Sequence, residues 1–402
     1  MGYFRTQSLE LRQVRIPHCE LRIRPIHLPS MANLRVQALT IADIPDEGLS
    51  RYADPFGYIA RNDAAWVRLL RENPHAQPTD LAILLAVDES NAEQPAVVGR
   101  LGFYAGPGVV RTATEAKEFR TFWMDGFFLA ESHRSSGIGG MIMLQAVAKC
   151  KSLFACGGPS EDAQKLYKAA GMKEIGPLKR WVYFLKGRPP ALKALKNPAL
   201  ASLAAPLAGA ALGVFYAAKR AGRKPSRTYT PVTHFSVELD SLPVSTRSRF
   251  PRDSRSLNWA LRHRRIAAFE IRDSGRLVGY ALLKRSVLDA AQHGLGTLMV
   301  GALLDYSLAD PSPANKLDLV LFVLDHFKHD KGDGDLPSEQ GRVDLVEFQV
   351  FDPELDAICK TLGMFHAGGL RVLFRPPPGI AINADTNWFF THASSDMLLM
   401  MP

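Results

Sequence analysis

The chain has 402 residues, of which 47% are hydrophobic and 22% charged, ordinary globular usage that excludes collagen, a long coiled coil and wholesale disorder. Its four cysteines, Cys19, Cys150, Cys156 and Cys359, form no CxxC pair and no framework spacing, which argues against a zinc ribbon and a disulfide scaffold and for a reducing compartment. The formal charge is +9, and the segment from Lys186 to Arg227 alone holds nine Lys and Arg with no Asp or Glu, so attraction to polyanions or acidic membranes is expected mainly there.

In chain order, residues 1–30 read as an N-terminal arm. The arm lacks the continuous apolar stretch of a signal peptide, so a cytoplasmic location is expected; its M-G-x-x-x-T start fits the short myristoylation pattern, and Met31 is an alternative start. A domain over 31–186 opens with a strand at Leu34, Val36 and Ala38, followed by helical pattern from Asp43 to about Asn73. Strands are predicted at Asp80–Glu89, Pro95–Gly106 and Phe122–Ala130. A Gly-rich turn, a helix at Met141–Lys149, a strand at Ser152–Cys156, a helix at Glu161–Ala170 and a strand at Trp181–Leu185 complete it.

Residues 187–228 form a basic, Ala- and Gly-rich linker. Its stretch Asn197–Ala218 is uncharged and long enough to cross a bilayer, but Ala, Gly, Pro198 and Pro206 make it less apolar than a Leu-rich span. It reads as a linker helix, with peripheral membrane contact and a true span as alternatives. A second mixed pattern over 229–379 repeats the element order of the first: a strand at Thr230–Leu239, a hairpin turning at Asp273-Ser274-Gly275, a strand at Thr297–Tyr306, helices at Asn315–Phe327 and Pro353–Leu362, and strands at Arg342–Phe351 and Gly369–Arg375. Residues 380–402 are a tail.

The chemistry is carried by LAESHRSSGIGGMIM, which ends a strand and opens a helix. Gly137, Gly139, Gly140 and the two serines leave backbone N–H groups available to an anion such as a pyrophosphate. The run Arg134-x-x-Gly137-x-Gly139 after an apolar strand resembles the acyl-CoA loop of the GNAT superfamily of N-acyltransferases. Downstream, Ala163, Leu166, Tyr167 and Gly171 stand at the spacing of the family's Ala-x-x-Leu-Tyr-x-x-x-Gly helix. Ser160 occupies the position where the family often has Asn, and it retains the ability to cap that helix.

The resemblance implies two GNAT-like α/β (mixed α+β) domains, each a mixed, mostly antiparallel sheet flanked by helices. It also implies transfer of an acetyl group from the co-substrate acetyl-CoA to a primary amine by direct attack, with no metal. Under it, Arg134, Ser135, Ser136, Gly137, Ile138, Gly139, Gly140, Ser160, Leu129 and Tyr167 hold the cofactor, the Leu129 N–H faces the thioester oxyanion, and Tyr167 is the general acid. Asp125 is the candidate base, a carboxylate in an apolar strand four residues before Leu129 and hence, by period two, on its face. A structural or substrate-orienting pairing is its alternative role. Glu131 is the runner-up base and His133 a candidate cofactor contact, both expected to be solvated.

The second half does not repeat the motif. Where a phosphate loop would lie, the chain reads SLADPSPANKLD, with two prolines and no glycine, and proline has no N–H to offer an anion. A degenerate domain that shapes the acceptor site or an interface is therefore expected. The acceptor is read as an amine-bearing small molecule, sugar or peptide, and nucleic acid is not expected. Two alternatives stay open: a non-catalytic CoA-binding sensor or scaffold, and a Fem-type aminoacyl transferase. The His and Asp residues from His326 to Asp335 break the EF-hand spacing, and Arg247 to Arg265 around Trp259 read as a solvated helix face, with contact to an anionic substrate as the alternative.

Overall fold

The computed structural model describes residues 33–49, 63–91, 95–111, 115–157, 160–243, 247–263, 266–288, 297–329, 342–380, 382 and 388–391. The arm 1–30 and the last eleven residues of the tail lie outside them. Strands β1 (Leu34–Thr40), β2 (Leu81–Asp88), β3 (Ala96–Arg111), β4 (Ala116–Leu129), β5 (Leu153–Gly157) and β6 (Lys173–Phe184) form the first half with helices α1 (Asp63–Arg71), α2 (Ile138–Lys149) and α3 (Glu161–Ala169). Helices α4 (Arg188–Leu195) and α5 (Pro198–Arg220) link it to β7 (Thr228–Val232), α6 (Ser254–His263), β8 (Ala267–Asp273), β9 (Arg276–Leu288), β10 (Leu298–Leu308), α7 (Pro313–His329), β11 (Leu345–Val350), α8 (Pro353–Thr361) and β12 (Phe365–Arg375).

All twelve strands belong to one sheet, in the order β1-β2-β3-β4-β5-β12-β6-β11-β10-β9-β8-β7. The halves follow the same plan: β4 and β5 are parallel, as are β10 and β11, and a helix connects each pair. Each half gives its last strand to the other. β6 pairs antiparallel with β11, β12 pairs antiparallel with β5, and the two exchanged strands pair with each other at the centre. The boundary at residue 186 thus separates the halves along the chain but not in the sheet.

The burial patterns explain the layers. β2 is buried at every position from Leu81 to Val87, as expected of a strand covered on both faces. One face of the first half packs Leu101, Phe103 and Met124 against Ile138, Ile142 and Ala146 of α2 and Tyr167 of α3. The corresponding face of the second half packs Leu303 and Phe348 against Leu319, Val323 and Phe327 of α7 and Leu355 of α8. The opposite face is a single core shared by both halves, running from Val67 and Leu70 of α1 through Trp123 and Phe154 to Phe250, Leu257 and Trp259. Polar ties cross it: Trp259 Nε1 donates to the Leu69 carbonyl (3.0 Å), and His75 Nε2 lies 2.7 Å from the Ser256 hydroxyl.

Several sequence boundaries move. Of the helical pattern expected from Asp43 to about Asn73, α1 occupies Asp63–Arg71 and residues 50–62 lie outside the described residues; a 3-10 turn at Ile41–Asp43 precedes it, where the Asp43 carboxylate accepts from both the N–H and the hydroxyl of Thr40. β3 continues through Gly106-Pro107-Gly108 to Arg111. A Cβ at Gly108 would lie 2.4 Å from the Phe119 ring, so this glycine admits a cross-strand aromatic and does not end the strand. The strand expected over Thr230–Leu239 ends at Val232, and a 3-10 turn takes Val237–Ser241. The single linker helix is a hairpin of α4 and α5 that turns at Lys196, in the left-handed conformation at φ 53°.

Candidate functional site

Among the described residues β4 and β5 form ladder pairs only at Phe122 with Leu153 and Trp123 with Phe154. Beyond Trp123 the two parallel strands part, leaving an opening lined on one side by β4 from Met124 to Leu129. At the same place β4 carries a bulge: Gly102 faces Asp125 and Arg100 faces Phe128, so β4 has one extra residue. Gly126, at φ 56°, is the residue that permits it.

The bulge corrects the placement of Asp125. Period-two counting put it on the face of Leu129, but the extra residue reverses the alternation. Asp125 follows Trp123, which belongs to the core shared by the halves, whereas Phe127 and Leu129 point to the α2 and α3 face. Asp125 is 7% exposed. Arg100 shares its face, with Nη2 only 2.7 Å from where a Cβ on Gly126 would sit.

At the end of β4 the Ala130 N–H donates to the Val98 carbonyl (2.8 Å). In an antiparallel ladder the preceding residue then directs its N–H and C=O away from β3, so those of Leu129 face the opening. Its carbonyl accepts a long bond from Arg134 Nε, 3.5 Å. The Leu129 side chain fixes the approach of α2, because a Cβ at Gly139 would lie 2.7 Å from Leu129 Cδ1, 3.4 Å from Leu166 Cδ1 and 3.6 Å from Phe127 Cζ. Glycine at this position lets the helix N-terminus sit directly on the strand end.

The connecting loop is tied internally by Ser136, whose buried hydroxyl donates to the His133 carbonyl (2.7 Å) and accepts from the Ile138 N–H (3.3 Å). Ser136 therefore braces the loop. Gly137 caps α2 in the left-handed region at φ 83°, and its carbonyl accepts from Gly140 and Met141. The N–H groups of Ser135, Gly137 and Gly139 have no bond among the described residues, and Arg134, Ser135 and Gly137 are exposed. A Cβ at Gly137 or Gly140 would meet no atom within 4 Å. Packing therefore does not demand glycine at Gly140, and the space above the helix start is open. Free N–H groups, a helix N-terminus, an exposed arginine and that open cradle fit a pyrophosphate.

Ser160 caps α3, accepting from the Ala163 N–H at 3.3 Å. Tyr167, on the inner side of that helix, is 7% exposed, and its ring lies 6.0 Å from that of Phe127. Glu131 is exposed in a 3-10 turn. His133 is half-buried, with Nε2 3.9 Å from Asp88 and Nδ1 2.9 Å from the Ser132 hydroxyl. Burial pushes the Cys150 thiol, at the end of α2, up to about 12, so it is neutral at pH 7 and unsuited to carry an acyl group. No group of three His, Cys, Asp or Glu able to hold a metal occurs among the described residues. Of the cluster from His326 to Asp335, residues 330–335 lie outside them, and His326 packs edge-on against Phe269 and Phe327.

The second half also reaches this site. Arg252 stacks its guanidinium 4.9 Å from the Trp123 ring, and Phe250 packs edge-on to it at 5.6 Å. Beside them a cavity of about 180 Å³ is lined by Arg249, Arg252, Asp240, Tyr280, Asp305 and Phe389, among others. Asp305 is buried and held by Arg252, Tyr280 and Thr391. Reading the Arg-rich segment as a solvated helix face missed Arg249 and Arg252, which precede α6 and turn inward; Phe250-Pro251 between them was the available signal. At the second-half counterpart of the phosphate loop, Asp310 fills the role of an anion itself, accepting from the Ser312 N–H and the Asn315 side chain. Lys316 of α7 is buried against Asp352 (2.6 Å) and Glu354 (2.7 Å). β10 and β11 stay paired over four residues, Val300–Leu303.

No family model and no curated protein matches the sequence. Among solved structures, Saccharomyces cerevisiae N-myristoyltransferase with bound myristoyl-CoA aligns over 97% of this chain and 95% of its own at TM-score 0.51 and 10% identity. A second structure of that enzyme, with myristoyl-CoA and inhibitors, aligns over 92% and 87% at TM-score 0.52 and 10% identity. A GCN5-related N-acetyltransferase from Anabaena variabilis aligns over 85% and 72% at TM-score 0.47 and 12% identity. The chain has the tandem GNAT fold.

Proposed function

We propose that the chain is a CoA-dependent N-acyltransferase that moves an acyl group, acetyl in the simplest case, from CoA to a primary amine. The observation that carries this reading is the coincidence of two features at one point of the sheet. The bulge and parting of β4 from β5 lie directly beside the glycine-started N-terminus of α2.

In this reading the pyrophosphate rests on the N–H groups of Ser135, Gly137 and Gly139 and on Arg134, while Ser136, Ile138, Gly140 and Ser160 shape the loop and the neighbouring helix start. The thioester lies in the opening. The amine attacks the thioester carbonyl carbon, the oxygen takes the negative charge and is met by the Leu129 N–H, and the C–S bond then breaks with the electron pair on sulfur. Tyr167, on the α3 side, gives the departing thiolate its proton. Asp125, on the opposite face, takes the proton from the attacking ammonium. Because the bulge separates Asp125 from Tyr167 across the strand, the ammonium loses its proton on one side of the thioester and the departing sulfur gains one on the other.

The acceptor then enters on the side where the second half supplies Phe250, Arg252 and the cavity beside them. That half is proposed to bind no CoA, since Asp310 and two prolines stand where the cofactor loop stands in the first. A non-catalytic CoA-binding protein is the second reading, favoured by the same loop without the chemistry. The test is titration calorimetry with acetyl-CoA and longer acyl-CoAs beside an Arg134→Glu, Gly137→Asp variant, together with release of free CoA thiol over a panel of amines. One site per chain, lost in the variant, with amine-dependent thiol release, is expected. Binding without release supports the second reading, and no binding refutes both.

A further inference from the structure

We propose that the α4–α5 hairpin is a docking surface for an anionic phospholipid bilayer, on which it lies flat and which it does not cross. α5 is apolar on both sides. Its inward stripe is fully accounted for: Ala201, Ala204 and Ala208 pack on Ala191 and Leu192 of α4, and Tyr216 stacks on Tyr183 with ring centroids 3.7 Å apart. A Cβ at Gly187 would lie 2.2 Å from the Ala205 carbonyl oxygen and the Gly209 nitrogen, so α5 rests against the exit of β6 at backbone distance. Arg220 closes the last turn with a two-pronged ion pair to Asp325 at 2.8 and 3.0 Å.

The outward stripe has no such account. Leu200, Leu203, Leu207 and Val214, at helical spacing on one face, are 52%, 77%, 78% and 74% exposed, and Leu195 at the end of α4 adds 45%. A contiguous row of large aliphatic side chains on the water side marks an interaction surface. The charges around it select the occupant. Arg188, Lys193, Lys196, Lys219, Arg223, Lys224 and Arg227 make no ion pair among the described residues, and no acidic residue lies between Lys186 and Arg227. Cations at both ends of an apolar stripe match an anionic headgroup layer with acyl chains beneath it. A two-fold contact with another copy would instead set these seven cations against their duplicates.

The helix is long and apolar enough to span a membrane, but the ties of Tyr216 to β6, of Arg220 to Asp325 on α7 and of Ala201–Ala208 to α4 leave the outward face as the free one. The inference stands independently of the acyl-transfer reading. Its test is co-sedimentation of the full chain with vesicles of phosphatidylcholine alone and of phosphatidylcholine mixed with phosphatidylglycerol. Binding to the anionic vesicles is expected to be at least about tenfold tighter and to weaken as salt is raised. Leu203→Glu/Leu207→Glu abolishes it, and Lys193→Glu/Lys196→Glu lowers it about tenfold or more. All four positions are exposed, so the melting curves should match that of the wild type.

Equal or absent sedimentation with the two vesicle types overturns the proposal, as does undiminished binding by the leucine variant. A dimer in sedimentation velocity that the leucine variant dissociates would assign the face to a second copy. Resistance of the vesicle-bound chain to alkaline carbonate would assign it to a span.

Discussion

Two neighbouring glycines, Gly137 and Gly140, should respond in opposite directions to the same substitution. Gly137 sits at φ 83°, whereas Gly140 is within the first turn of α2 and outside the positive-φ set, and a Cβ there would meet nothing within 4 Å. Gly137→Ala forces an L-residue into the left-handed region at a cost of about 1–2 kcal/mol. Gly140→Ala gains about 0.5–1 kcal/mol, because the helix already supplies the backbone conformation and the unfolded chain loses freedom. Thermal melts should therefore place the Gly140→Ala chain above the wild type and the Gly137→Ala chain below it, a spread of about 1.5–3 kcal/mol. Calorimetry with acetyl-CoA should nevertheless show weaker binding for both, by about tenfold, since a methyl group over the helix start occupies the anion's place and the other distorts its N–H groups. A stabilised Gly140→Ala chain that binds acetyl-CoA as well as the wild type would refute the placement of the pyrophosphate.

Asp125→Asn should lower kcat by about 10²–10⁴ while leaving the calorimetric affinity for acetyl-CoA unchanged, the mark of a group acting on the acceptor side. Tyr167→Phe should cost about tenfold in kcat, less than the base because a thiolate of pKa about 8.5 leaves readily. Lys316→Met leaves Asp352 buried without its closest cation and should destabilise the chain by about 3–5 kcal/mol in urea titrations. In the wild type, burial raises the Asp352 carboxyl, but the hydrogen bond and charge of Lys316 and the charge of Arg247 outweigh it and hold the group below its ordinary value. A depressed folded value contributes stability that is complete above the unfolded value of about 4 and is lost as pH falls below it. Asp352→Asn should accordingly flatten the loss of stability measured below about pH 4.

The sequence made some features legible and concealed others for identifiable reasons. The loop from Arg134 to Gly140 and the helix bearing Ser160 and Tyr167 could be located because glycines, caps and spacing are local signals, and α2, β5 and α3 follow closely the order read from them. The face of Asp125 could not be obtained by counting in twos, because the bulge at Gly126 adds a residue that no alternation pattern encodes. A glycine inside an otherwise bulky strand was the only local sign of it. The exchange of β6 and β12 was hidden for another reason. The residue pattern of Lys173–Phe184 marks a strand but does not name its neighbours, which are β12 and β11. The inward turn of Arg249 and Arg252 was hidden by a composition that also describes a solvated helix.

The exchange of strands bears on why the parallel strands part sooner in the first half than in the second. β5 meets β4 at two residue pairs but meets β12 at five, from Arg371 with Gly157 to Arg375 with Leu153. Beyond Trp123 its backbone groups are therefore satisfied by the last strand of the chain. In the second half, β11 has six pairs with β6 and keeps four with β10, so the parallel ladder persists further and the gap is shorter. Hydrogen bonding to an exchanged neighbour lets a strand leave its parallel partner without abandoning its own N–H and C=O groups. Without β12, β5 would present an unpaired edge. The duplicated fold thus divides its labour through the sheet: the half with the glycine loop receives the strand that pairs with β5, and the half that lends that strand covers the opposite face with Phe250 and Arg252.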